Sequence, residues 1–363
     1  MILNSKLYPH HIAPVFKGDG EHDYLADDKL RRVVNLAIAL GRPLLVRGEP
    51  GVGKTQLARA IASELTSEKL LEWRIKSTDT VRDGLYFYDP IRRLIDTQLS
   101  SAERRDHVDR AFNPYHYIRF SYLGKAIIDP DPVVLLIDEI DKADIDFPND
   151  LLRELEEWWF QIYEVPLAPG NVDVAAFGVQ QHNMTEQDIL RAATESPDAA
   201  SKFAIIHIGA KPRPIVIITS NDEKPLPPAF LRRCIVHTIE FPNLNADDPT
   251  VREKNRGDLT RIIEMNVRKR LGLDPQELNQ RVIERVLDVF GLIRKERDRW
   301  NKPPATVELV EWVVALHHPA LNQTLLNLTG DQPLPYWQVL FKNPRDEQFA
   351  LETELLRGKL EVI

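Results

Sequence analysis

The stretch Gly48–Thr55 constrains the fold of this chain more than any other feature of its sequence. Its residues, Gly-Glu-Pro-Gly-Val-Gly-Lys-Thr, fit the pattern G-x-x-x-x-G-K-[ST]. The apolar run Pro43–Arg47 before it predicts a short buried strand, and Gln56–Leu65 after it has the apolar spacing of a helix. Because the full pattern lies between a strand and a helix, we interpret it as a phosphate-binding loop rather than a chance glycine-rich turn.

This loop predicts a compact set of nucleotide contacts. Its glycines allow successive backbone N–H groups to face one anion, and the helix N-terminus adds partial positive charge. Lys54 is expected to reach the β- and γ-phosphates, and the Thr55 hydroxyl is expected to hold Mg²⁺. The predicted nucleotide contacts in this segment are Gly48, Glu49, Pro50, Gly51, Val52, Gly53, Lys54, Thr55 and Gln56.

A second buried strand ends in two acids. The run Val133–Ile137 is entirely apolar, and Asp138 and Glu139 follow it directly. Ligands of open α/β sheets bind at the carboxyl ends of the strands. We therefore expect Asp138 to orient Mg²⁺ and Glu139 to polarise the attacking water as a general base. The alternative is a strand followed by a solvated acidic turn.

Three further candidate residues follow the next predicted strand, Pro214–Ser220. Asn221 directly follows that strand and is expected to hydrogen-bond the attacking water and the γ-phosphate. An Asn in such a place also serves as a helix cap or turn residue. Arg232 and Arg233 end a short helix. A guanidinium inserted from a neighbouring subunit stabilises transition-state charge, whereas the alternative for this pair is a solvated face or internal ion pairs.

Composition restricts the class of protein. The chain has 363 residues, of which 28% are charged and 43% hydrophobic, and a net charge of −8. This is typical of a soluble globular protein with two or three domains, and it argues against nucleic acid as the partner. No run of about 18 apolar residues predicts a membrane span. The single cysteine, Cys234, and an N-terminus without an apolar signal segment lead us to expect a cytoplasmic protein.

The order of strand and helix patterns predicts the α/β class. Strand signals at Leu71–Lys76, Val133–Asp138, Pro214–Ser220 and Ile235–Phe241 follow the first strand, with helical patterns between most of them. We expect a five-stranded, mostly parallel sheet covered by helices on both faces. After Val251 only helical patterns remain, at Arg252–Arg270, Pro275–Trp300, Thr306–His317 and Asp346–Arg357. The predicted domains are a lead-in over residues 1–26, an α/β core over 27–245 with insertions near 84–100 and 161–213, and a smaller all-α domain over 251–363.

With these elements in this order, the chain resembles an AAA+ ATPase over residues 25–241, and its helical tail resembles the lid domain of that superfamily. The motifs that carry the resemblance are Walker A at Gly48–Thr55, Walker B at Asp138 and Glu139, sensor 1 at Asn221 and the arginine-finger site at Arg232 and Arg233. The resemblance implies ATP rather than GTP, Mg²⁺, and a homo-oligomeric ring, most often a hexamer, in which Arg233 or Arg232 completes the neighbouring site. It also implies that Tyr24, just before the first helix, contacts the adenine.

Within the superfamily the chain is most similar to the MoxR branch. The similar segments are Gly84–Ile95, Tyr122–Ile127, Asp138–Ala143 and Leu151–Glu157. This similarity implies a chaperone-like role on a protein partner, with a von Willebrand factor A domain protein as one candidate.

Three departures from the family pattern stand out. Val307 occupies the position of the lid arginine called sensor 2, so either the lid contact to the γ-phosphate is missing or another lid arginine supplies it. The stretch 161–213 is long, and Thr185–Asp188 within it predicts a capping box that opens a helix through Ala193. Asp141 and Lys142 replace the usual Asn and Arg, which predicts altered contacts between subunits.

Two functions of different classes follow. The first is an ATP-driven ring that remodels or activates a protein partner. The alternative is a nucleotide-dependent switch in a defence or signalling assembly, in which turnover is slow and the long insertion docks an effector. Nucleic-acid processing is a third possibility, and the net charge of −8 counts against it.

Overall fold

The computed structural model of the chain describes residues 15–20, 23–99, 111–166, 185–207, 213–318 and 335–352. In chain order it contains α1 (Asp28–Leu40), β1 (Leu44–Arg47), α2 (Lys54–Leu65), β2 (Leu70–Arg74), α3 (Val81–Leu85), β3 (Tyr86–Tyr88), α4 (Pro90–Leu99), β4 (Ile118–Phe120), α5 (Tyr122–Ile128), β5 (Val134–Asp138), α6 (Phe147–Glu157), β6 (Trp159–Gln161), α7 (Glu186–Thr194), α8 (Pro197–Ser201), β7 (Ile205–His207), β8 (Ile215–Ser220), α9 (Pro228–Arg233), β9 (Ile235–Thr238), α10 (Pro249–Leu271), α11 (Gln280–Lys295), α12 (Thr306–His317) and α13 (Pro344–Glu352).

The chain folds into two compact units. One unit comprises Asp28–Arg47 and Leu57–Thr238 together with the residues up to Lys17, and it contains all the strands. The other comprises Gly18–Asp27, Gly48–Gln56 and the chain from Ile239 onward. The phosphate loop therefore belongs to the same unit as the helical C-terminal region.

A five-stranded parallel sheet forms the centre of the first unit, in the spatial order β2-β5-β8-β1-β9. Every residue of β5 and β8 is buried, which is why these two strands read as continuous apolar runs in the sequence. Register aligns the carboxyl ends of the strands, since Arg47 lies opposite both Ser220 and Thr238, and Arg74 lies opposite Asp138. The residues that follow these strands consequently emerge at one edge of the sheet.

Helices and two small antiparallel ribbons complete the first unit. The apolar face of α6, with Phe147, Leu151 and Leu155, packs into the main hydrophobic core. Strands β3 and β4 form one ribbon, and β6 and β7 form the other. The predicted insertion near 84–100 contains β3 and α4, and the described part of 161–213 contains α7, α8 and β7.

The helical unit has its own hydrophobic core. Leu259, Ile263 and Val267 lie one turn apart along α10 and are fully buried, together with Phe290 from α11 and Trp312 from α12. This spacing is the one expected for a helix with a single buried face. No helix among the described residues is long and apolar enough to cross a membrane.

The predicted fold class is confirmed, since a five-stranded parallel sheet with helices is followed by a helical region. The capping box is also confirmed, because Thr185 and Asp188 exchange the expected hydrogen bonds and open α7. That helix ends at Thr194, one residue beyond the prediction. The predicted domain boundaries stay a prediction.

Several predicted element boundaries are wrong. The strand predicted for Ile235–Phe241 ends at Thr238, because its partner β1 ends at Arg47 and leaves nothing to pair with. The helix predicted for Pro275–Trp300 is reduced to α11, flanked by short 3-10 turns. Asn279 caps α11 by accepting a hydrogen bond from the Val282 N–H. Residues 353–357 of the last predicted helix lie outside the described residues.

Candidate functional site

The backbone of the phosphate loop has the conformation that its glycines allow. Gly48, Gly51 and Gly53 adopt φ values of 145°, 83° and 93°, a region that other residues rarely enter. A Cβ atom on Gly48 would stand 2.4 Å from the carbonyl oxygen of Ile239, so the close approach of these two backbones requires glycine. The loop then continues directly into the first turn of α2, where Thr55 and Gln56 follow Lys54.

Lys54 is folded back over the loop that precedes it. Its ammonium donates hydrogen bonds to the carbonyl oxygens of Gly48 and Glu49, at 2.7 and 2.9 Å, and its side chain is 7% exposed. These bonds place the cation beside the start of α2, where backbone N–H groups and the helix dipole also favour an anion.

Tyr24 contacts the same loop. Its ring lies 3.4 Å from the point where a Cβ on Gly53 would stand. Burial, with a smaller contribution from Asp27, raises the pKa of its hydroxyl, so the phenol stays neutral. The structure thus places Tyr24 against the phosphate loop, and its predicted contact with adenine stays a prediction.

At the end of β5, a buried hydroxyl holds the two acids in place. The Thr219 hydroxyl donates to Oδ1 of Asp138 at 2.7 Å and accepts from the Glu139 N–H at 2.8 Å. Asp138 is 4% exposed, and the nearest guanidinium nitrogen of Arg74 lies 3.9 Å from its other oxygen. Asp138 therefore presents a carboxylate at the sheet edge with its orientation fixed.

Glu139 occupies an unusual backbone conformation, with a φ of 61° in the left-handed region. Its carboxylate accepts a hydrogen bond from Lys142 at 2.6 Å and one from the Asn221 amide at 3.3 Å. Burial alone would raise its pKa, but Lys142, Asn221 and the charge of Arg74 outweigh burial and lower the pKa below its ordinary value. Glu139 is therefore ionised at neutral pH.

A buried carboxylate connects this turn to the end of β8. Asp141, which is 2% exposed, accepts hydrogen bonds from the backbone N–H groups of Asn221 and Glu223, at 3.0 and 2.9 Å. The structure thus brings Asp138, Glu139 and Asn221 together at the sheet edge, and Asp141 is part of what holds them.

The arginine pair lies at the end of α9. Arg233 forms an ion pair with Glu156 of α6 and donates to the carbonyl of Ala229, whereas the side chain of Arg232 is exposed. Arg42 fixes the backbone here by donating to the carbonyl oxygens of both arginines. The internal pair that the sequence left open as an alternative is thus present for Arg233. An exposed pair of this kind contributes little to stability and is readily exchanged for another partner.

Two arginines of the helical unit meet the phosphate loop at Glu49, whereas Val307 is 42% exposed. Arg294 and Arg297 each contact one carboxylate oxygen of Glu49. The sequence pattern allows for another arginine in place of Val307 but does not identify these two. The pattern does not single out Thr219 or Arg74 either, although Arg74 is the last residue of β2 and Thr219 the last but one of β8.

The described part of the chain holds no cluster of three or more His, Cys, Asp or Glu side chains arranged to bind a metal. The predicted Mg²⁺ site at Thr55 and Asp138 needs no such cluster, since Mg²⁺ is commonly held by one or two protein oxygens and phosphates. The roles predicted for all these site residues stay predictions.

A family model described as an AAA domain matches residues 40–171, a segment that contains both the phosphate loop and the acid pair. The match agrees with the AAA+ fold expected over this segment, and the five-stranded parallel sheet confirms the predicted α/β class. None of the curated proteins matches the chain.

Two solved structures of NtrX from Brucella abortus are similar to the chain at 14% identity. The match to the complex with ADP has a TM-score of 0.44 and covers 91% of this chain and 57% of the NtrX chain. The match to the complex with ATP has a TM-score of 0.41 and covers 86% of this chain and 52% of the NtrX chain. The chain thus spans little more than half the length of these relatives.

Proposed function

We propose that this chain is a Mg²⁺-dependent AAA+ ATPase whose substrate is ATP. The observation that carries the proposal is the folded phosphate loop, in which Lys54 lies over the carbonyls of Gly48 and Glu49. The positive φ values of the loop glycines turn backbone N–H groups toward a common anion. The AAA-domain match supports the proposal because it spans the loop and the acid pair.

The donor set suits Mg²⁺ and a polyphosphate. Thr55 offers a hydroxyl at the start of α2, and Asp138 offers an oriented carboxylate, which are the hard oxygen ligands that Mg²⁺ prefers. Held there, Mg²⁺ would supply positive charge that offsets the charge developing on the phosphates. Lys54 supplies a further cation for the β- and γ-phosphates.

Glu139 is the proposed general base. Its ionised carboxylate takes a proton from the water that attacks the γ-phosphate in line. The Asn221 amide, which donates to Glu139, orients that water and the carboxylate together. Hydrolysis thus depends on Glu139, whereas binding depends on Lys54.

The proposed assembly is a cytoplasmic homo-oligomeric ring of MoxR type, most simply a hexamer, which remodels or activates a protein partner. In this ring Arg233, or Arg232 beside it, enters the site of the neighbouring subunit. Arg233 would have to leave Glu156, and because that pair is exposed the exchange costs little.

One observation favours the slow-turnover switch as the second candidate. The base Glu139 is held by Lys142, whose ammonium lies 2.6 Å from the carboxylate and lowers its basicity. Turnover measured with and without candidate partners distinguishes the two functions. A slow rate that no partner raises supports the switch, and a rate that a partner raises supports the remodelling ATPase.

Equilibrium binding of Mg²⁺–ATP to the wild type and to Lys54→Ala tests the nucleotide site. We expect wild-type binding in the micromolar range and its loss in Lys54→Ala, because the variant removes the cation that faces the phosphates. Equal binding by both proteins would contradict the proposal.

Separate Arg232→Ala and Arg233→Ala variants test the shared site. At least one of them should hydrolyse ATP on the order of 10³-fold more slowly while still binding it. Normal hydrolysis by both variants excludes the arginine finger and leaves the rest of the proposal standing.

A further inference from the structure

Glu49 is the acidic residue of the phosphate loop. The phosphate loop binds anions through backbone N–H groups and Lys54, and a carboxylate in its first variable position opposes that charge. A side chain that opposes the chemistry of its own loop calls for another role. The contacts of Glu49 supply one.

Two arginines of the helical unit converge on the Glu49 carboxylate. Arg294, near the end of α11, contacts Oε2 at 2.9 Å, and Arg297, in the following turn, contacts Oε1 at 2.8 Å. Each carboxylate oxygen therefore has its own guanidinium. We call this group of three side chains the arginine clamp.

Arg294 is the fixed member of the clamp. Its side chain is 8% exposed, it donates to the Pro304 carbonyl at 3.2 Å, and its guanidinium lies 4.4 Å from the centre of the Phe241 ring. A cation held by a carboxylate, a carbonyl and an aromatic face has little freedom to turn elsewhere. Arg297 is 57% exposed and is the weaker member of the clamp.

The same part of the helical unit touches the loop a second time. A Cβ on Gly51 would stand 3.0 Å from the Cβ of Ala305, the residue before α12, and 3.7 Å from both Val307 and Glu308. The loop is thus held through Glu49 and through the backbone at Gly51 by one short region between Arg294 and Glu308.

We propose that Glu49 and Arg294 are positioning residues, which hold the phosphate loop in its anion-binding conformation by fixing it to the α11–α12 region. This inference rests on the proposed nucleotide site and adds what sets the affinity of that site. Because the clamp acts on the loop backbone, it acts on the phosphates that ADP and ATP share. It does not depend on an arginine that contacts the γ-phosphate.

The direction in which nucleotide affinity changes when the Glu49 charge is removed distinguishes a positioning role from a purely electrostatic one. Removal of the Glu49 charge would by itself favour a bound anion. Arg294 is held by Pro304 and Phe241, so it cannot move to contact the phosphates when Glu49 is neutralised. The weaker binding caused by a less ordered loop therefore outweighs the gain from removing a negative charge. Glu49→Gln is therefore expected to weaken nucleotide binding rather than to strengthen it.

The experiment measures the dissociation constants of fluorescent ADP and ATP analogues for the wild type, Glu49→Gln, Arg294→Gln and the double variant. Each single variant should bind both nucleotides about tenfold more weakly, and the double variant should bind no more weakly than the worse single variant. Arg294→Lys should recover part of the loss, and the KM for ATP should rise while kcat changes little.

Arg256→Gln is the matched control, since Arg256 forms a 2.7 Å pair with Asp288 in the same helical unit, away from the loop. It should bind as the wild type does. Circular dichroism and thermal melts check that each variant folds, and the exposed Arg297→Gln, with a smaller loss, gives a second reading if Arg294→Gln does not fold.

Three results overturn the inference. They are tighter binding by Glu49→Gln, a loss confined to ATP in Arg294→Gln, and lower melting temperatures without any change in affinity. Failure of the proposed function is a different result, in which the wild type binds no nucleotide or Lys54→Ala binds as well as the wild type.

Discussion

At the scale of single residues, Lys142 is one of the groups that keep Glu139 ionised. The two side chains are 2.6 Å apart, and the charge and hydrogen bond of Lys142 help to lower the pKa of Glu139. A carboxylate with a lowered pKa is protonated only as the pH falls through that lower value, so the acid limb of activity lies at lower pH than for an ordinary glutamate.

Lys142→Ala should therefore move the acid limb of the ATPase pH profile to higher pH. The variant leaves burial, which raises the pKa, less opposed. Steady-state rates across the acid range measure the shift, and Lys142→Arg, which keeps the charge, should retain the wild-type limb. Superimposable profiles for the wild type and Lys142→Ala would show that Lys142 does not set the ionisation of the base.

Cys234 offers a test of burial that does not depend on any activity. Burial raises the pKa of its thiol to about 12, against the opposing effect of Arg42 and Arg47. Because the thiolate is the reactive form, the native thiol should react with a disulfide reagent at neutral pH at least about a hundredfold more slowly than the denatured chain.

The reaction is unambiguous because the chain has one cysteine. The denatured protein provides the control and should release one equivalent of chromophore per chain. Equal rates for native and denatured protein would mean that Cys234 is accessible.

The site residues that could not be predicted from the sequence are those whose role depends on contacts between distant parts of the chain. Asp138 and Glu139 were predicted because they follow an apolar strand, and their location at the sheet edge agrees. Thr219 resembles any strand threonine until the register of β5 and β8 places it beside both acids. Arg294 lies 245 residues from Glu49, and no local pattern indicates that contact.

At the scale of elements, one buried hydroxyl of β8 adds a side-chain link to the backbone pairing of β8 with β5. Thr219 is fully buried, and it satisfies both the Asp138 carboxylate and the Glu139 N–H. Loss of that hydroxyl would leave a buried acceptor and a backbone donor without this partner.

Thr219→Val keeps the shape of the side chain and removes the hydroxyl. It should lower the free energy of unfolding by roughly 1–3 kcal/mol, since the hydrogen bond to the buried Asp138 carboxylate and the one from the Glu139 N–H are lost together. Thr219→Ser keeps the hydroxyl and should cost less. Chemical denaturation of the three proteins measures the difference, and equal losses for Val and Ser would assign the effect to packing instead.

The long elements were predictable and the short ones were not. β5 and β8 are continuous apolar runs that need no distant information to be read as strands. β3, β4, β6 and β7 have three residues each, and pairing across the chain rather than periodicity defines them. This is the physical reason why the two ribbons were missed.

At the scale of the whole molecule, the proposed ring depends on a bound nucleotide and on the arginine pair of α9. The Glu139→Gln protein with ATP should shift toward a larger assembly in light scattering coupled to size-exclusion chromatography, because ATP that is not hydrolysed keeps the shared site occupied. The Lys54→Ala protein is the control and should not shift. A mass that is the same with and without ATP would contradict a ring that nucleotide stabilises.

In the proposed function, binding and hydrolysis of ATP are separate tasks, carried out by Lys54 and Glu139. Parallel measurement of Mg²⁺–ATP binding and phosphate release for wild type and Glu139→Gln separates the two tasks. We expect Glu139→Gln to bind ATP as the wild type does and to release phosphate at least about a hundredfold more slowly. Phosphate release at the wild-type rate by Glu139→Gln would contradict it.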